Sequence, residues 1–231
     1  MRNKAKFYPD YLQRFAQSIV FLTLIIVPTS YSQEVCPPFD LSELRAKRDY
    51  YSGLHSSDRS ASGDWQRLRT VEKNHFNSDV RNLVRGQTVT EPAGDINFIL
   101  GHFPNHIPAL QALVRLAAKE RTPKPRGLRQ PVQCALERAV AFNPEDPATR
   151  TLLGVYLARW GQPDKAIEQL EIAEKARPSD RNVLYNLGLL YFDKKDFDRS
   201  LSYAHRAYEA GFPLPGLRDK LKAAGKWQER E

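Results

Sequence analysis

The sequence is poor in the residues and motifs that carry chemistry. Its 231 residues include two cysteines, one methionine and three tryptophans. No CxxC occurs, which removes a thioredoxin-like redox role, and no histidine stands at ligand spacing beside either cysteine. GxGxxG, GxxxxGKS and GxxxxGKT are missing, so no phosphate-cradling loop is written. HExxH and GxSxG are missing as well. His102 and His106 are four apart, but Pro104 breaks any helix between them. Their expected role is at a helix junction, as caps or interface residues, not as zinc ligands. No cofactor, metal site or catalytic residue is expected. The apolar run from Ile19 to Val27 spans nine residues, well short of the roughly 20 that a membrane-spanning helix needs.

That run is nonetheless informative. Arg2, Lys4, Lys6 and Arg14 precede or flank it against the single Asp10; Pro28 ends it, and Ser30-Tyr31-Ser32 follows. The order basic, apolar, small reads as a secretory signal peptide over residues 1–32, cleaved near Ser32. The expected location is exported, periplasmic or secreted. Both cysteines, Cys36 and Cys134, lie beyond that point, and two thiols in an oxidising space tend to pair. The formal charge of +8 becomes +5 on the mature chain, 31 basic against 26 acidic residues. This allows anionic partners without demanding nucleic acid.

The dominant positive signal is a period. Leu153 and Leu187, Gly154 and Gly188, Ala173 and Ala207, and Pro144 and Pro178 are each 34 residues apart. Leu184, Leu187, Gly188 and Tyr191 stand at first-helix spacing of a 34-residue helical hairpin, as do Arg150, Leu153, Gly154 and Leu157 in the preceding copy. Ala166, Leu170 and Ala173 follow at second-helix spacing. On these residues the chain resembles the tetratricopeptide repeat family over 147–212. The resemblance implies an all-α fold, an array of helical hairpins (an α-solenoid of about three repeats). A small residue at Gly154 or Gly188 would let the second helix approach, and large residues such as Leu153, Leu170, Leu187 and Tyr191 would fill the space between helices. One hairpin cannot bury its own apolar face, and a stacked neighbour can.

A degraded copy precedes these. Pro104 to Pro144 is 40 residues, with a first helix expected over Ile107–Glu120 and a second over Pro131–Phe142. The extra residues fall in "ERTPKPRGLRQP", whose prolines and glycine make it a loop. The repeats are thus expected over 107–146, 147–180 and 181–214, inside a domain of residues 75–231. A capping helix is expected over 216–227, starting at Pro215-Gly216. Upstream, Ser78 and Asp79 would cap a short helix, and another would begin at about Asp95, with the loop "GQTVTEPAG" between; together they read as an irregular cap. Residues 33–74 show weak periodicity, with a short helix expected within Asp40–Tyr50 and a mobile polar stretch after it. Residues 71–110 are similar to the front half of exported bacterial repeat proteins of unassigned function.

The resemblance places function on the concave face, lined by first helices. By repeat position, Gln111, Arg115 and Lys119 face it, followed by Thr151, Val155 and Arg159, and then by Asn182, Tyr185, Asn186, Leu189 and Phe192. Cations and amides beside aromatic rings suit an extended peptide. The reading is a non-enzymatic protein–protein interaction scaffold of the cell envelope, with a protein or peptide partner and no nucleic acid. Some family members clamp a chain-terminal carboxylate with a Lys and two Asn; of these only Asn186 is matched. One alternative is an envelope binder that docks on anionic lipid or polymer through the basic loop 119–131, where Lys119, Arg121, Lys124, Arg126 and Arg129 face Glu120 alone. Another is an envelope enzyme with a site in residues 33–100.

Overall fold

A computed structural model describes residues 36–60 and 63–229. The expected signal peptide lies outside the described residues. All regular structure among them is helical, and the chain forms two compact units, residues 31–176 and a second whose described part is 177–229.

In the first unit, α1 (Leu41–Arg45) and α2 (Tyr50–His55) are short, each started by an aspartate. Asp40 and Asp49 accept backbone N–H groups of the first turn, meeting donors that a helix start leaves unpaired. The stretch expected to be polar and mobile is partly ordered, because Ser52–His55 belong to α2. It is followed by α3 (Asp64–His75), a twelve-residue helix that periodicity did not signal, since it buries only Leu68. α4 (Ser78–Arg81) is capped by Asn77, one residue before the expected cap. α5 spans Pro92–His102, starting three residues ahead of Asp95. Proline at the first position suits a helix because its missing N–H would be unpaired there anyway.

α6 (Ile107–Glu120) and α7 (Val132–Phe142) match the expected degraded hairpin, with Pro131 just before the second helix. His106 caps α6, its Nδ1 accepting the Ala109 N–H at 3.1 Å, as its junction position suggested. α8 (Pro147–Arg159) and α9 (Pro163–Ala176) form the next hairpin. Its closeness depends on Gly154: a Cβ there would lie 2.7 Å from Leu170 Cγ. Leu153, Tyr156, Leu157, Ala166, Leu170 and Ala173 are buried between or beside these helices, at roughly 1.5–3 kcal/mol for each large apolar side chain.

The N-terminal segment is tied to this framework at several points. Cys36 and Cys134 form a disulfide that spans 98 residues of sequence and joins the segment to α7. Buried Asn105 accepts the Tyr50 N–H at 3.0 Å and donates to Asp49 Oδ2 at 2.9 Å. Tyr51 donates to Asp146, the N-cap of α8, at 3.1 Å.

The second unit is the hairpin of α10 (Arg181–Asp193) and α11 (Phe197–Glu209) with α12 (Gly216–Ala223) packed on both. Asp180 and Asp196 cap the first two helices. Gly188 does more than admit the second helix: an added Cβ would meet Leu217 Cδ2 of α12 at 2.5 Å and the Ser200 carbonyl only at 3.5 Å. α12 is shorter than expected, ending at Ala223. Trp227 then returns to the hairpin, 4.6 Å from the His205 ring and 6.2 Å from Tyr208, centroid to centroid.

Candidate functional site

The first-helix positions differ sharply in how open they are. On α6, Gln111 is 2% exposed and belongs to the core. Arg115 donates to the Arg81 carbonyl, and Lys119 Nζ donates to the Leu83 carbonyl at 2.7 Å. These carbonyls stand at and just past the end of α4, where a helix leaves acceptors unpaired and a cation is favourable. The three α6 residues expected to face a partner therefore pack inward or anchor α4. Repeat position gave their face but not the short helix lying against it.

On α8, Thr151 is half-buried and its hydroxyl donates back to the Pro147 carbonyl at 2.6 Å. Val155 is half-buried, and Arg159 is exposed at the helix end. On α10, Tyr185 is another correction. It is 5% exposed, stacked on Phe212 at 3.8 Å between centroids, and its hydroxyl accepts the Leu217 N–H at 3.1 Å. That N–H belongs to the first turn of α12 and has no partner within its helix. Burial, with the neighbouring Tyr208, pushes the Tyr185 hydroxyl pKa up to about 12, so it stays protonated. Asn182, Asn186, Leu189 and Phe192 are half-buried, and Asn186 Nδ2 donates to the Asn182 carbonyl at 2.7 Å. The Phe192 ring meets Phe197 edge-on at 5.5 Å, with Lys220 Nζ 5.3 Å and Lys195 Nζ 5.8 Å from its centre. It is an apolar surface framed by cations.

Two polar clusters in residues 70–110 had little sequence signal. Asp95, 1% exposed, accepts from the Gln87 N–H (2.6 Å), the Thr88 N–H (3.0 Å), the Thr88 hydroxyl (2.5 Å) and His75 Nδ1 (2.8 Å). Burial alone would raise its pKa, but the hydrogen bonds from Thr88, His75 and Gln87 outweigh it and hold the carboxyl below the usual range. The arrangement clamps the turn before α5. It orients His75 against Phe98, 3.9 Å between ring centres, and brings no serine or cysteine to the imidazole among the contacts described. The second cluster is His106 with Glu72. Nδ1 accepts the Ala109 N–H, so the ring proton sits on Nε2 and donates to Glu72 Oε1 at 3.2 Å. Burial depresses the His106 pKa despite the partly opposing Glu72 carboxylate. Among the described residues no group of three or more His, Cys, Asp or Glu is placed to hold a metal ion.

The basic loop is less free than its composition suggests. Lys119 is bound to Leu83, and Glu120 Oε2 accepts the Arg126 N–H at 3.0 Å, with Arg126 Nε at 3.9 Å. Arg121 ends α6 in the left-handed region (φ 53°), and the Val132 N–H closes the loop on the Pro123 carbonyl at 2.9 Å.

Residues 151–213 match the family model of the tetratricopeptide repeat. No curated protein is significantly similar to the chain. Solved structures with a similar fold include a thermophilic TPR protein of Thermus thermophilus. It is 22% identical, with 58% of this chain and 71% of that one covered and a TM-score of 0.46. MamA is 19% identical, covering 70% of this chain and 90% of that one, with a TM-score of 0.43. The MamA MSR-1 C2 structure is 16% identical, covering 64% and 71%, with a TM-score of 0.40. These likenesses are too distant to carry over an arrangement or a partner.

Proposed function

We propose that this chain, a tetratricopeptide-repeat protein over residues 151–213, is a protein-interaction scaffold of the cell envelope. It binds an extended peptide or partner protein through the first helices of its repeats. Tetratricopeptide repeats are in general scaffolds rather than enzymes, and their apolar positions here are used in packing the hairpins. The observation that carries the reading is the exposed remainder of those first helices. On α10, Leu189 and Phe192 offer apolar surface beside the amides of Asn182 and Asn186 and the cations Lys195 and Lys220. On α8, Val155 and Arg159 offer a smaller surface of the same kind. An aromatic anchor with polar groups around it suits main-chain and side-chain recognition of a peptide. The envelope location is supported by the basic-then-apolar N-terminus and by the paired cysteines, which persist in oxidising compartments.

The experiment is a crosslinking capture from envelope fractions with the mature oxidised protein, followed by affinity measurement with the purified partner. Phe192→Ala should weaken binding by about 2 kcal/mol, roughly 30-fold, with some loss of melting temperature because the half-buried ring also packs against Phe197 and the core of the second unit. Arg121→Glu with Arg126→Glu should leave it nearly intact. If Phe192→Ala binds as tightly as the parent while folded, the reading fails. If only the loop substitutions abolish binding to membranes or cell wall, the anionic-surface alternative replaces it.

A further inference from the structure

A second recognition site lies in the first unit, on residues other than those of the repeat faces. Residues of α5, α6, α7 and the loop 121–131 enclose a half-open pocket of about 220 Å³. Its polar lining is Asn97, Arg129, Gln130 and Arg138, and no carboxylate lines it. Its apolar lining includes Leu100, Leu113 and Leu128. The Leu100 and Leu113 side chains are almost wholly buried, so they form floor, not rim.

Both charged side chains that line this pocket are cationic. Three other cations of α6 and the following loop are engaged: Arg115 and Lys119 on carbonyls, Arg126 beside Glu120. Arg129 and Arg138 have neither an ion pair nor a hydrogen bond among the described residues, and neither do the Asn97 and Gln130 side chains. An anion in this concavity would be met by two guanidinium groups and by no carboxylate. A planar carboxylate matches the guanidinium fork with two parallel hydrogen bonds, and the two amides supply further donors. The half-buried Leu128, Pro131 and Ala135 set the other half of the requirement, because Leu100 and Leu113 beneath them are already out of water. A small inorganic anion would leave that apolar rim unfilled, whereas a group carrying hydrocarbon removes it from water.

Size limits the hydrocarbon. Drug-sized ligands occupy roughly 300–1,000 Å³; a pocket of about 220 Å³ takes a group on the scale of one leucine or phenylalanine. The walls are held in place before any ligand arrives. Cys134 lines the pocket and is fixed through its disulfide to Cys36, and the Val132–Pro123 hydrogen bond pins the loop at the start of α7.

We propose that this pocket binds an organic monocarboxylate bearing a compact apolar group, with Arg129 and Arg138 on the carboxylate and the apolar rim of Leu128, Pro131 and Ala135 on the hydrocarbon. The same chemistry comes from two sources: a free small acid, or the C-terminal residue of a polypeptide ending in an apolar side chain. The site shares no residue with the α8 and α10 faces, so its failure would leave the scaffold reading standing.

The test is titration calorimetry on the oxidised mature protein with N-acetyl-L-leucine and its neutral amide, and with a hexapeptide ending in leucine as free acid and as amide. The expected result is saturable binding of at least one free acid, with the matching amide at least tenfold weaker. Arg138→Gln and Arg129→Gln should each weaken that acid at least tenfold without lowering the melting temperature, and Phe192→Ala should change nothing. A peptide acid at least tenfold tighter than N-acetyl-L-leucine assigns the chain terminus as ligand; comparable or weaker peptide binding assigns the free acid. Equal binding of acid and amide would overturn the proposal, as would unchanged binding by both arginine variants. So would sulfate competing as well as the acid, or no saturable binding up to about 10 mM, where the interaction is weaker than about 3 kcal/mol.

Discussion

Opening the Cys36–Cys134 bond should be the most costly single change to residues 31–176. The bond closes 98 residues of sequence. In the chain-entropy account a crosslink removes about 2.1 + 1.5R ln n cal/mol/K from the unfolded ensemble, which for such a loop is about 16 cal/mol/K, or about 4.7 kcal/mol at 25 °C. Measured values for native disulfides run from about 2 to 5 kcal/mol, so a loss of about 3–5 kcal/mol is expected. Cys36→Ser is the cleaner variant, because Cys134 is buried in α7 and a change there would add a packing loss. The α2 anchors, Asn105 to Tyr50 and Tyr51 to Asp146, should survive, since they do not involve either cysteine. The assay is urea unfolding followed by tryptophan fluorescence in a Trp227→Phe background, so that Trp65 and Trp160 report the first unit alone. Oxidised parent is compared with Cys36→Ser and with parent in dithiothreitol. The two perturbed forms should coincide. If both unfold within about 1 kcal/mol of the oxidised protein, the crosslink contributes far less than the loop-entropy account requires. If alkylation finds both thiols free in protein isolated from the envelope, the pairing itself is wrong.

Two further outcomes concern the polar clusters. Asp95→Asn keeps one acceptor oxygen and turns an amide NH2 toward donors from Gln87, Thr88 and His75. The cost should be about 3 kcal/mol, the scale of one or two charge-assisted hydrogen bonds lost in a buried site. The Gln87 and Thr88 amides should lose hydrogen-exchange protection, and unchanged protection with unchanged stability would show that the clamp does not hold the turn. His106 predicts a pH dependence. Burial holds its folded pKa below the unfolded value of about 6.5, so the unfolded state takes up the proton first. Its contribution is therefore complete above about pH 7 and declines as pH falls below about 6.5 toward the depressed folded value. Protonation also removes the acceptor that caps α6 at Ala109. His106→Asn should flatten this slope relative to the parent in urea unfolding between pH 5 and 8, and parallel slopes would refute the assignment.

How much of this was legible depended on whether the information was local. The hairpins α8–α9 and α10–α11 were readable because a 34-residue period fixes both helix faces and the turns between them, and Asp146 and Asp180 cap where the pattern starts anew; α6–α7 was readable from its own apolar spacing and the prolines that bound it. α3 was not readable, because a twelve-residue helix that buries Leu68 alone has almost no apolar rhythm. The start of α5 was misplaced because Asp95 resembles a cap in sequence, while its carboxylate is used on a turn seven and eight residues upstream. The candidate face was half legible. Repeat position says which way a side chain leaves its own helix and nothing about what lies there. Gln111 went into the core, Arg115 and Lys119 met the end of α4, and Tyr185 met α12. Leu189, Phe192, Val155 and Arg159 retained exposed surface.

The pocket lies where the sequence departs from its own period. A 34-residue repeat commits its apolar positions to the hairpin and its neighbour, so a new site inside it would compete with packing. The interval from Pro104 to Pro144 is longer, at 40 residues, and the surplus falls in the loop between α6 and α7. Lengthening a connection is inexpensive, since each doubling of a flexible loop costs only about 0.6 kcal/mol. Pro125 of the added stretch is buried, but Arg129 and Gln130 stay exposed, which leaves their side chains free to line a pocket. The helices on either side supply what a loop lacks: Leu113 of α6 as buried floor, and Arg138 of α7 held on a helix that the disulfide fixes. A mobile cation becomes a placed one only with such support. The degraded repeat is therefore not simply a worn copy: its insertion, its unpaired arginines and its crosslink stand together at one concavity, the combination that recognition of an anion requires and that hairpin stacking does not.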